Sequence, residues 1–478
     1  MSEFLTPEAH AGLIHSGGWV APSGGTAEAV EAATGRVLAV VGHAAAEDVE
    51  RAVRTAAAAQ RGWAASGHRA RAEVMRRAAE ILSDRRDEVA EWLVREAGSV
   101  RGKADFEIAA VLDELLVAAS LPGRPPGVLL PEVPGRRSYA VREPLGVVGV
   151  ISPWNVPLVL AMRALAPALA LGNAVVLKPD PRTAVCGGYV VARLFEEAGL
   201  PPGVLHVLPG GADAGRALVD APQTAMLAFT GSTEVGRAIG ERAGRALKRA
   251  SLELGGNNAL IVLDDADVEQ AAEAAAFSSF FHQGQVCMAA GRHVVVESVA
   301  VRYTAALVRR ARAMTVGDPW TSDVDLGPLI DDGRLKEVHR LVGDAVAAGA
   351  RLECGGTVEG PCYRPTVLTG VDERSEVWSA EVFGPVAPVV TVPDAETAVA
   401  VANRTEYGLV ASVFGGAGAE AVARELRTGM VHVNDPTIED DAIVPFGGTG
   451  ASGNGSRHGS LNSWDEFTRW RWTTVRGS

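Results

Sequence analysis

Cysteine occurs only four times in the 478 residues, at Cys186, Cys287, Cys354 and Cys362, with no C-x-x-C pair and no Cys/His cluster at zinc-ligand spacing. That scarcity argues against a disulfide framework and a structural metal, so no metal is expected and a reducing compartment is. Positive charge is short as well. The net charge of −13 opposes broad attraction to nucleic acid or an anionic membrane, both negative themselves. Long apolar runs are lacking: residues 156–177 form the longest, but Pro157, Arg163, Pro167 and Gly172 interrupt it, as in a buried helix and strand rather than a membrane span. Met1-Ser2-Glu3-Phe4 shows neither the basic flank nor the apolar core of a secretion signal. A cytoplasmic enzyme acting on a small molecule is the expectation. What the chain does have is 47% apolar residues, over a length that implies two or three domains with sizeable cores.

Apolar residues at three- and four-residue spacing predict helices over 48–65, 69–97 and 104–120, ended by Leu121-Pro122-Gly123-Arg124-Pro125-Pro126. Tyr139-Ala140-Val141-Arg142 reads as an extended arm. Short apolar runs at 147–151, 174–177, 204–207 and 226–229 are each followed by a helix-like segment, the pattern of βαβ units in a doubly wound parallel sheet. Ligands of such sheets bind at the carboxyl ends of strands, which is where Trp154, Asn155, Lys178, Gly231 and Ser232 fall. A second α/β region over 258–434, with strands expected at 259–263, 293–296, 386–392, 410–414 and 430–433, carries Cys287. Trp464, Trp470 and Trp472 near the C-terminus would leave aromatic surface exposed in a monomer, so an oligomer contact is expected there.

Cys287, in Gly284-Gln285-Val286-Cys287, lies downstream of Pro153-Trp154-Asn155-Val156-Pro157 and Glu253-Leu254-Gly255-Gly256. These supply a nucleophile, a carboxamide able to hold an oxyanion, and a carboxylate able to activate water. A lone cysteine is more often an inert core residue, but polar Gln285 and the glycine before it oppose that reading. Glu253 could merely solvate a strand end, and Asn155 could merely make a turn. His282 invites a Cys/His hydrolase reading; it is placed on the helical run before Cys287 and lacks an identifiable third group. Phe229-Thr230-Gly231-Ser232-Thr233-Glu234-Val235-Gly236 offers a strand-to-helix turn that a phosphate can approach. Lys178, one of only four lysines, ends a buried strand and suits a phosphate or ribose better than a snorkelling role. Gly448-Thr449-Gly450-Ala451-Ser452-Gly453 matches G-x-G-x-x-G, yet no clear strand precedes it and no helix follows, so it reads as a tight loop near the active site.

Over almost its full length the chain resembles the NAD(P)-dependent aldehyde dehydrogenase superfamily. The resemblance is carried in order by Pro153-Trp154-Asn155, Lys178-Pro179, Gly231-Ser232-Thr233-Glu234-Val235-Gly236, Glu253-Leu254-Gly255-Gly256, Gly284-Gln285-Val286-Cys287, Glu381-Val382-Phe383-Gly384-Pro385 and Pro445-Phe446-Gly447-Gly448. It implies an α/β fold with a Rossmann-type cofactor domain (1–121, 143–252 and 435–460), a second α/β catalytic domain (253–434) and a small oligomerisation arm (122–142 and 461–478), assembled as a homodimer or homotetramer. It implies Cys287 as nucleophile, Asn155 as oxyanion donor and Glu253 as base. The cofactor would be NAD or NADP, held by Ile151, Ser152, Pro153, Trp154, Lys178, Asp180, Pro181, Gly211, Phe229, Gly231, Ser232, Val235, Leu254, Gly255, Glu381 and Phe383. Within that set Glu381 would hold the nicotinamide ribose, Phe383 would pack by the nicotinamide and Lys178 would meet the adenosine ribose.

The expected reaction runs from a Cys287 thiolate, helped by local positive potential or a base, through a thioester to a carboxylic acid. A water-activating carboxylate argues against release to coenzyme A. Residues 177–183 and 280–288 resemble the benzaldehyde and vanillin dehydrogenase branch, with Phe280, Phe281 and Met288 as walls for an aromatic ring. Aliphatic aldehydes or semialdehydes are the alternative within the class; a catalytically retired binding protein is the alternative outside it. Many NAD-preferring relatives carry a glutamate three residues after the lysine, where this chain has Pro181. Use of both cofactors is therefore expected, with Lys178 and Arg182 drawing the 2′-phosphate and Asp180 restoring some NAD preference.

Overall fold

The β-branched run Val147–Ile151 is buried along its whole length, as a strand must be when helices cover both faces of its sheet. In the computed structural model, which describes residues 4–5, 10–131 and 134–476, it is the third strand of a seven-stranded sheet and the middle one of that sheet's five parallel strands. Met1-Ser2-Glu3, where a secretion signal was sought, and residues 132–133 and 477–478 of the expected arm lie outside the described residues. The order is Arg249–Glu253, Thr224–Thr230, Val147–Ile151, Ala174–Lys178, Leu205–Val207, Ile14–Ser16, Trp19–Val20. The first five strands are parallel; Ile14–Ser16 joins Leu205–Val207 antiparallel. The chain winds outward from Val147–Ile151 on one side, then returns to build the other, so the switch point lies between Val147–Ile151 and Thr224–Thr230.

A second seven-stranded sheet runs Arg351–Cys354, Thr366–Thr369, Val386–Val392, Ala290–Val296, Asn258–Val262, Val410–Phe414, Met430–Val433. Only the first pair is antiparallel. Glu253 ends the first sheet and Asn258 opens the second, so residues 254–257 bring the carboxyl ends of one to the amino ends of the other. A third sheet joins Gly127–Leu129, Arg136–Pro144 and Thr468–Arg476, all antiparallel. It carries Trp470 (52% exposed) and Trp472 (69% exposed). Trp464, expected at the surface with them, is instead buried against the first core.

Three further readings need correction. The helix expected over 69–97 is two, His68–Asp84 and Arg86–Ala97, because the pieces pack on different neighbours: the first on Arg101–Ser120 and Val190–Glu197, the second also on Val185–Tyr189. Four short strands before residue 45 (Ile14–Ser16, Trp19–Val20, Thr26–Val30 and Val37–Gly42) escape an apolar-periodicity reading because they are short and, apart from the first, largely exposed or half-exposed. Arg249–Glu253, Arg351–Cys354 and Thr366–Thr369 were likewise not anticipated. Among the described residues no helix is long and apolar enough to cross a membrane.

Candidate active site

Strand Val147–Ile151 delivers Ser152-Pro153-Trp154-Asn155 to the switch point, and Pro157 opens the next helix, Pro157–Ala170, where its missing N–H costs nothing. Asn155 is buried and its Nδ2 donates to the Gln285 carbonyl at 2.9 Å. Its own carbonyl accepts from Lys103 Nζ at 2.9 Å. Lys103 is paired with Glu107 one helical turn on, both buried. Glu107 Oε1 in turn accepts from the Leu158 and Val159 N–H groups (2.7 and 3.3 Å) at the start of the next helix. This pair clamps the Asn155 loop, and sequence reasoning missed it, although a lysine followed four residues later by glutamate in a lysine-poor chain was a readable signal. Lys103→Met should leave a buried carboxylate without its cation, lowering stability by about 3–5 kcal/mol; a thermal melt checks it, and an unchanged Tm would deny the clamp.

Cys287 lies just before strand Ala290–Val296, at the amino edge of the second sheet. The turn before it holds three consecutive left-handed residues, His282 (φ 48°), Gln283 (φ 57°) and Gly284 (φ 68°). Such backbone persists only when its surroundings over-determine it. Here Gln283 Nε2 donates to the Gly98 and Pro328 carbonyls (3.0 and 2.8 Å), and Gln285 Oε1 accepts from the Ile330 N–H at 3.0 Å. At Gly284 a Cβ would come within 2.2 Å of the Gly384 carbonyl oxygen. Asn258 Nδ2 donates to the Cys287 and Ala289 carbonyls, both at 2.8 Å. Among the described residues the Cys287 backbone N–H has no acceptor, so it and Asn155 are available to an oxyanion. His282 is not on a helix: Val268–Phe280 ends before it, and its buried ring lies beside Lys103 with its pKa held well down by burial. No hydrogen bond joins it to Cys287 among the described residues, which removes the hydrolase reading.

Glu253 is buried, and neither carboxylate oxygen makes a hydrogen bond of normal geometry. Burial pushes its pKa up to about 8, against the pull of Arg163 and Arg457. Glu381 Oε1 accepts from the Gly256 N–H at 2.9 Å, and burial raises this carboxyl to about 7. A Cβ at Gly255 would meet Glu381 Oε2 at 2.3 Å, so only glycine lets the carboxylate lie there. The charges nearest Cys287 among the described residues, Arg163 excepted, disfavour its thiolate rather than supply the expected positive potential, and Glu253 is the carboxylate beside it that could act as a base. Burial and then the nearby Glu381 and Glu253 carboxylates push the thiol up to about 12, with Arg163 opposing. The G-x-G-x-x-G segment packs here too: the Leu254 N–H donates to the Ser452 carbonyl at 2.9 Å, and Gly453 bridges Glu253.

One wall of the site is apolar. Cys287 packs against a cluster of Val286, Met288, Leu409, Val410, Ile438 and Phe446, together with Phe281. The Phe281 ring stands 5.9 Å from Phe106 and 4.9 Å from Phe277, both of which are partly exposed. Phe281 and Met288 thus share the cluster with Cys287, but Phe280 does not: it ends its helix facing the core of the second sheet. Ile438, Phe446, Phe106 and Phe277 come from remote segments that no local pattern connects.

The remaining residues line the carboxyl edge of the first sheet. Trp154 lies between Phe383, whose ring is 5.4 Å away edge-on, and Arg182, whose guanidinium sits 5.0 Å above the indole. Phe383 is itself left-handed at φ 52°. Ile151 ends its strand, and the Ser152 Oγ is buried without a partner. Lys178 Nζ donates to the Pro179 and Gly210 carbonyls (3.1 and 2.9 Å), with its pKa lowered by burial. Gly211 and Ser232 precede the helices Ala212–Asp220 and Thr233–Arg245, and Ser232 Oγ accepts from the Val235 N–H at 3.5 Å. Val235 is exposed on the first turn; Leu254 fills the space above Gly236, and the Phe229 ring fills that above Gly231. Arg182 is not free to draw a 2′-phosphate: it is ion-paired to Asp180 and Asp331, and Asp180 also caps the turn begun by Pro181.

A doubly wound sheet, a cysteine with a buried carboxylate near it and a carboxamide bonded two residues before it, and helix N-termini at the carboxyl ends of the strands fit a thiol-dependent, dinucleotide-using oxidoreductase. The aldehyde dehydrogenase family profile matches residues 19–473, and the chain belongs to that family. It is 50% identical over 477 residues to a vanillin dehydrogenase of Amycolatopsis sp., covering 99% of this chain and 98% of that one. It is also 50% identical to a benzaldehyde dehydrogenase [NAD(+)] of Pseudomonas putida, covering 97% and 96% of the two chains. Among solved structures, betaine aldehyde dehydrogenase of Staphylococcus aureus in complex with NAD+ superposes with a TM-score of 0.94 at 29% identity, over 98% of this chain and 95% of that one. The protein is an NAD(P)-dependent enzyme acting on a small-molecule aldehyde.

Proposed function

We propose that the enzyme oxidises an aromatic aldehyde of the benzaldehyde or vanillin type to the carboxylic acid, with NAD+ or NADP+ as oxidant. The observation that carries this reading is Cys287 set in an apolar wall with Phe281, Met288 and Phe446, and Phe106 and Phe277 beyond it. The 50% identity to vanillin and benzaldehyde dehydrogenases supports it. The residues fit a dinucleotide along the carboxyl edge of the first sheet: a helix N-terminus at Ser232, an unpartnered Ser152 hydroxyl, and Glu381 over Gly255. Glu381 would hold the nicotinamide ribose, Phe383 and Trp154 the nicotinamide end, and Lys178 with Asp180, Pro181, Gly211 and Val235 the adenosine end. When bound, the oxidised nicotinamide supplies a hydride acceptor and a positive charge that offsets the carboxylates around the thiol.

In this reading the Cys287 sulfur adds to the aldehyde carbon, and the oxyanion is held by Asn155 Nδ2 and the Cys287 N–H. Hydride departs from the same carbon, leaving a thioester on Cys287. Glu253 then takes a proton from water as it attacks that carbon, the carbon–sulfur bond breaks to return the electron pair to the Cys287 sulfur, and the acid is released. With Arg182 neutralised by Asp180 and Asp331, attraction of a 2′-phosphate would fall to Lys178.

Residues 1–121, 143–252 and 435–460 would form the cofactor domain and 253–434 the catalytic domain. The sheet of Gly127–Leu129, Arg136–Pro144 and Thr468–Arg476 would be an arm joining a homodimer or homotetramer, in keeping with exposed Trp470 and Trp472. A cytoplasmic location is supported by four unpaired cysteines. The test is an aldehyde panel run with both cofactors, following reduced-cofactor absorbance. Benzaldehyde-type substrates should exceed acetaldehyde in kcat/KM by about tenfold or more, the scale of one buried apolar contact. A preference for acetaldehyde or a charged semialdehyde would reject the aromatic assignment and leave the family membership standing.

A further inference from the structure

At Phe446 the apolar wall ends in charge. Arg163, on helix Pro157–Ala170, is buried and lies 4.4 Å above the Phe446 ring. Its Nε donates to Glu114 Oε1 at 3.1 Å, and its Nη2 is paired with Asp440 Oδ2. Burial works against the arginine's charge, yet the two carboxylates hold it firmly protonated. Asp440 follows Ile438 of the apolar cluster in a segment tied down where the Thr437 N–H donates to Ser278 Oγ at 3.0 Å. The Asp440 side chain is only 12% exposed, its charge reaches Cys287, and its second oxygen, Oδ1, is buried without a partner. A carboxylate with one oxygen spent on a buried guanidinium and the other unspent is an acceptor waiting for a donor, and leaving it unsatisfied is costly.

We propose that Asp440 Oδ1, oriented by Arg163, accepts a hydrogen bond from a ring hydroxyl of the aldehyde, so that the enzyme selects phenolic benzaldehydes over those lacking a ring O–H. This rests on the aromatic reading above. The apolar and aromatic wall takes the ring, Cys287 takes the aldehyde carbon, and Asp440 reads the substituent at the other end. A methoxy group at the same ring position cannot donate and turns its lone pairs towards the carboxylate, so it is rejected by repulsion as well as by the lost bond. Arg163 is a positioning residue here: paired to Oδ2, it leaves Oδ1 to the substrate.

Asp440→Asn gives a reading specific to this geometry. Facing the Arg163 guanidinium, the amide must present its oxygen, which places its NH₂ at the Oδ1 position and turns the acceptor into a donor. Hydroxyl and methoxy oxygens can both accept from that NH₂. The experiment measures kcat/KM for 3- and 4-hydroxybenzaldehyde and for their methoxy counterparts at mildly acidic pH, where the ring hydroxyl stays protonated. In the parent enzyme at least one hydroxy isomer should exceed its methoxy partner by about tenfold or more, and Asp440→Asn should bring that ratio within about threefold of one. The ratio is read within each enzyme, so a general loss of turnover cancels. A parent ratio near one for both isomers overturns the proposal, as does a variant that keeps the parent's ratio. Should the variant fail to fold, the parent ratio decides alone. The comparison of benzaldehyde with acetaldehyde in the parent tests the aromatic reading separately, so the two failures are distinguishable.

Discussion

Cys287→Ser should reduce aldehyde oxidation by about three orders of magnitude or more while reduced cofactor still binds. The expectation follows from what surrounds the sulfur. Burial and two carboxylates already hold the thiol protonated up to about 12, so the site relies on the intrinsic nucleophilicity and acidity of sulfur once it is loaded. A serine hydroxyl is far less acidic, and no histidine or lysine of the described residues stands ready to take its proton; His282 is held neutral and faces Lys103. The exchange removes little volume and leaves the Asn258 bond to the residue-287 carbonyl untouched, so the backbone should keep its shape. Stopped-flow absorbance measures the chemistry, and quenching of tryptophan emission by reduced cofactor reports binding. Turnover within tenfold of the parent would remove Cys287 as the nucleophile.

Glu253→Gln should separate the two halves of the reaction. With the sulfur intact, one equivalent of reduced cofactor should appear per active site in a rapid burst. The steady state should then fall by about 10²–10⁴, because an amide cannot take a proton from the attacking water. In the parent, the steady-state rate should rise with pH through about 8, since burial raises the Glu253 carboxyl to that value and only its ionised form is a base. The variant should lose that rise. Glutamine keeps the size of the side chain, and neither carboxylate oxygen makes a hydrogen bond of normal geometry, so its replacement strands no partner. Equal loss of burst and steady state would assign Glu253 to a step before the thioester.

Much of the architecture was legible because it is written in local periods. Buried parallel strands such as Val147–Ile151 and Ala174–Lys178 are apolar runs, the second up to its terminal lysine, and the helix Ala46–Ala65 shows its apolar stripe. Strands held mainly by distant partners were not legible. Ile14–Ser16 exists because Leu205–Val207 lies beside it, and Arg249–Glu253 because Thr224–Thr230 does, although neither segment carries a strong pattern of its own. The break at Arg85 was hidden for a related reason: the apolar spacing continues through it, and only packing on different neighbours divides the helix.

The candidate catalytic groups were legible in the chain alone, since a thiol, a carboxamide and a carboxylate are recognisable by type and stand in compact motifs at Cys287, Asn155 and Glu253. Their electrical state was not. Whether a carboxyl titrates near 4 or near 8 depends on how much water surrounds it, and that is settled by folding Glu253 into a buried strand end. Which apolar side chains meet Cys287 was decided in the same way. Phe280 and Phe281 are adjacent and identical in sequence, yet one faces the core and the other packs in the cluster with Cys287. The Lys103–Glu107 clamp and the Arg163–Asp440 pair are ordinary charges along the chain. They are drawn into the site only where a helix meets a segment 50 or more residues away in sequence, Lys103 with Asn155 and Arg163 with Asp440, and water that would otherwise screen them is excluded.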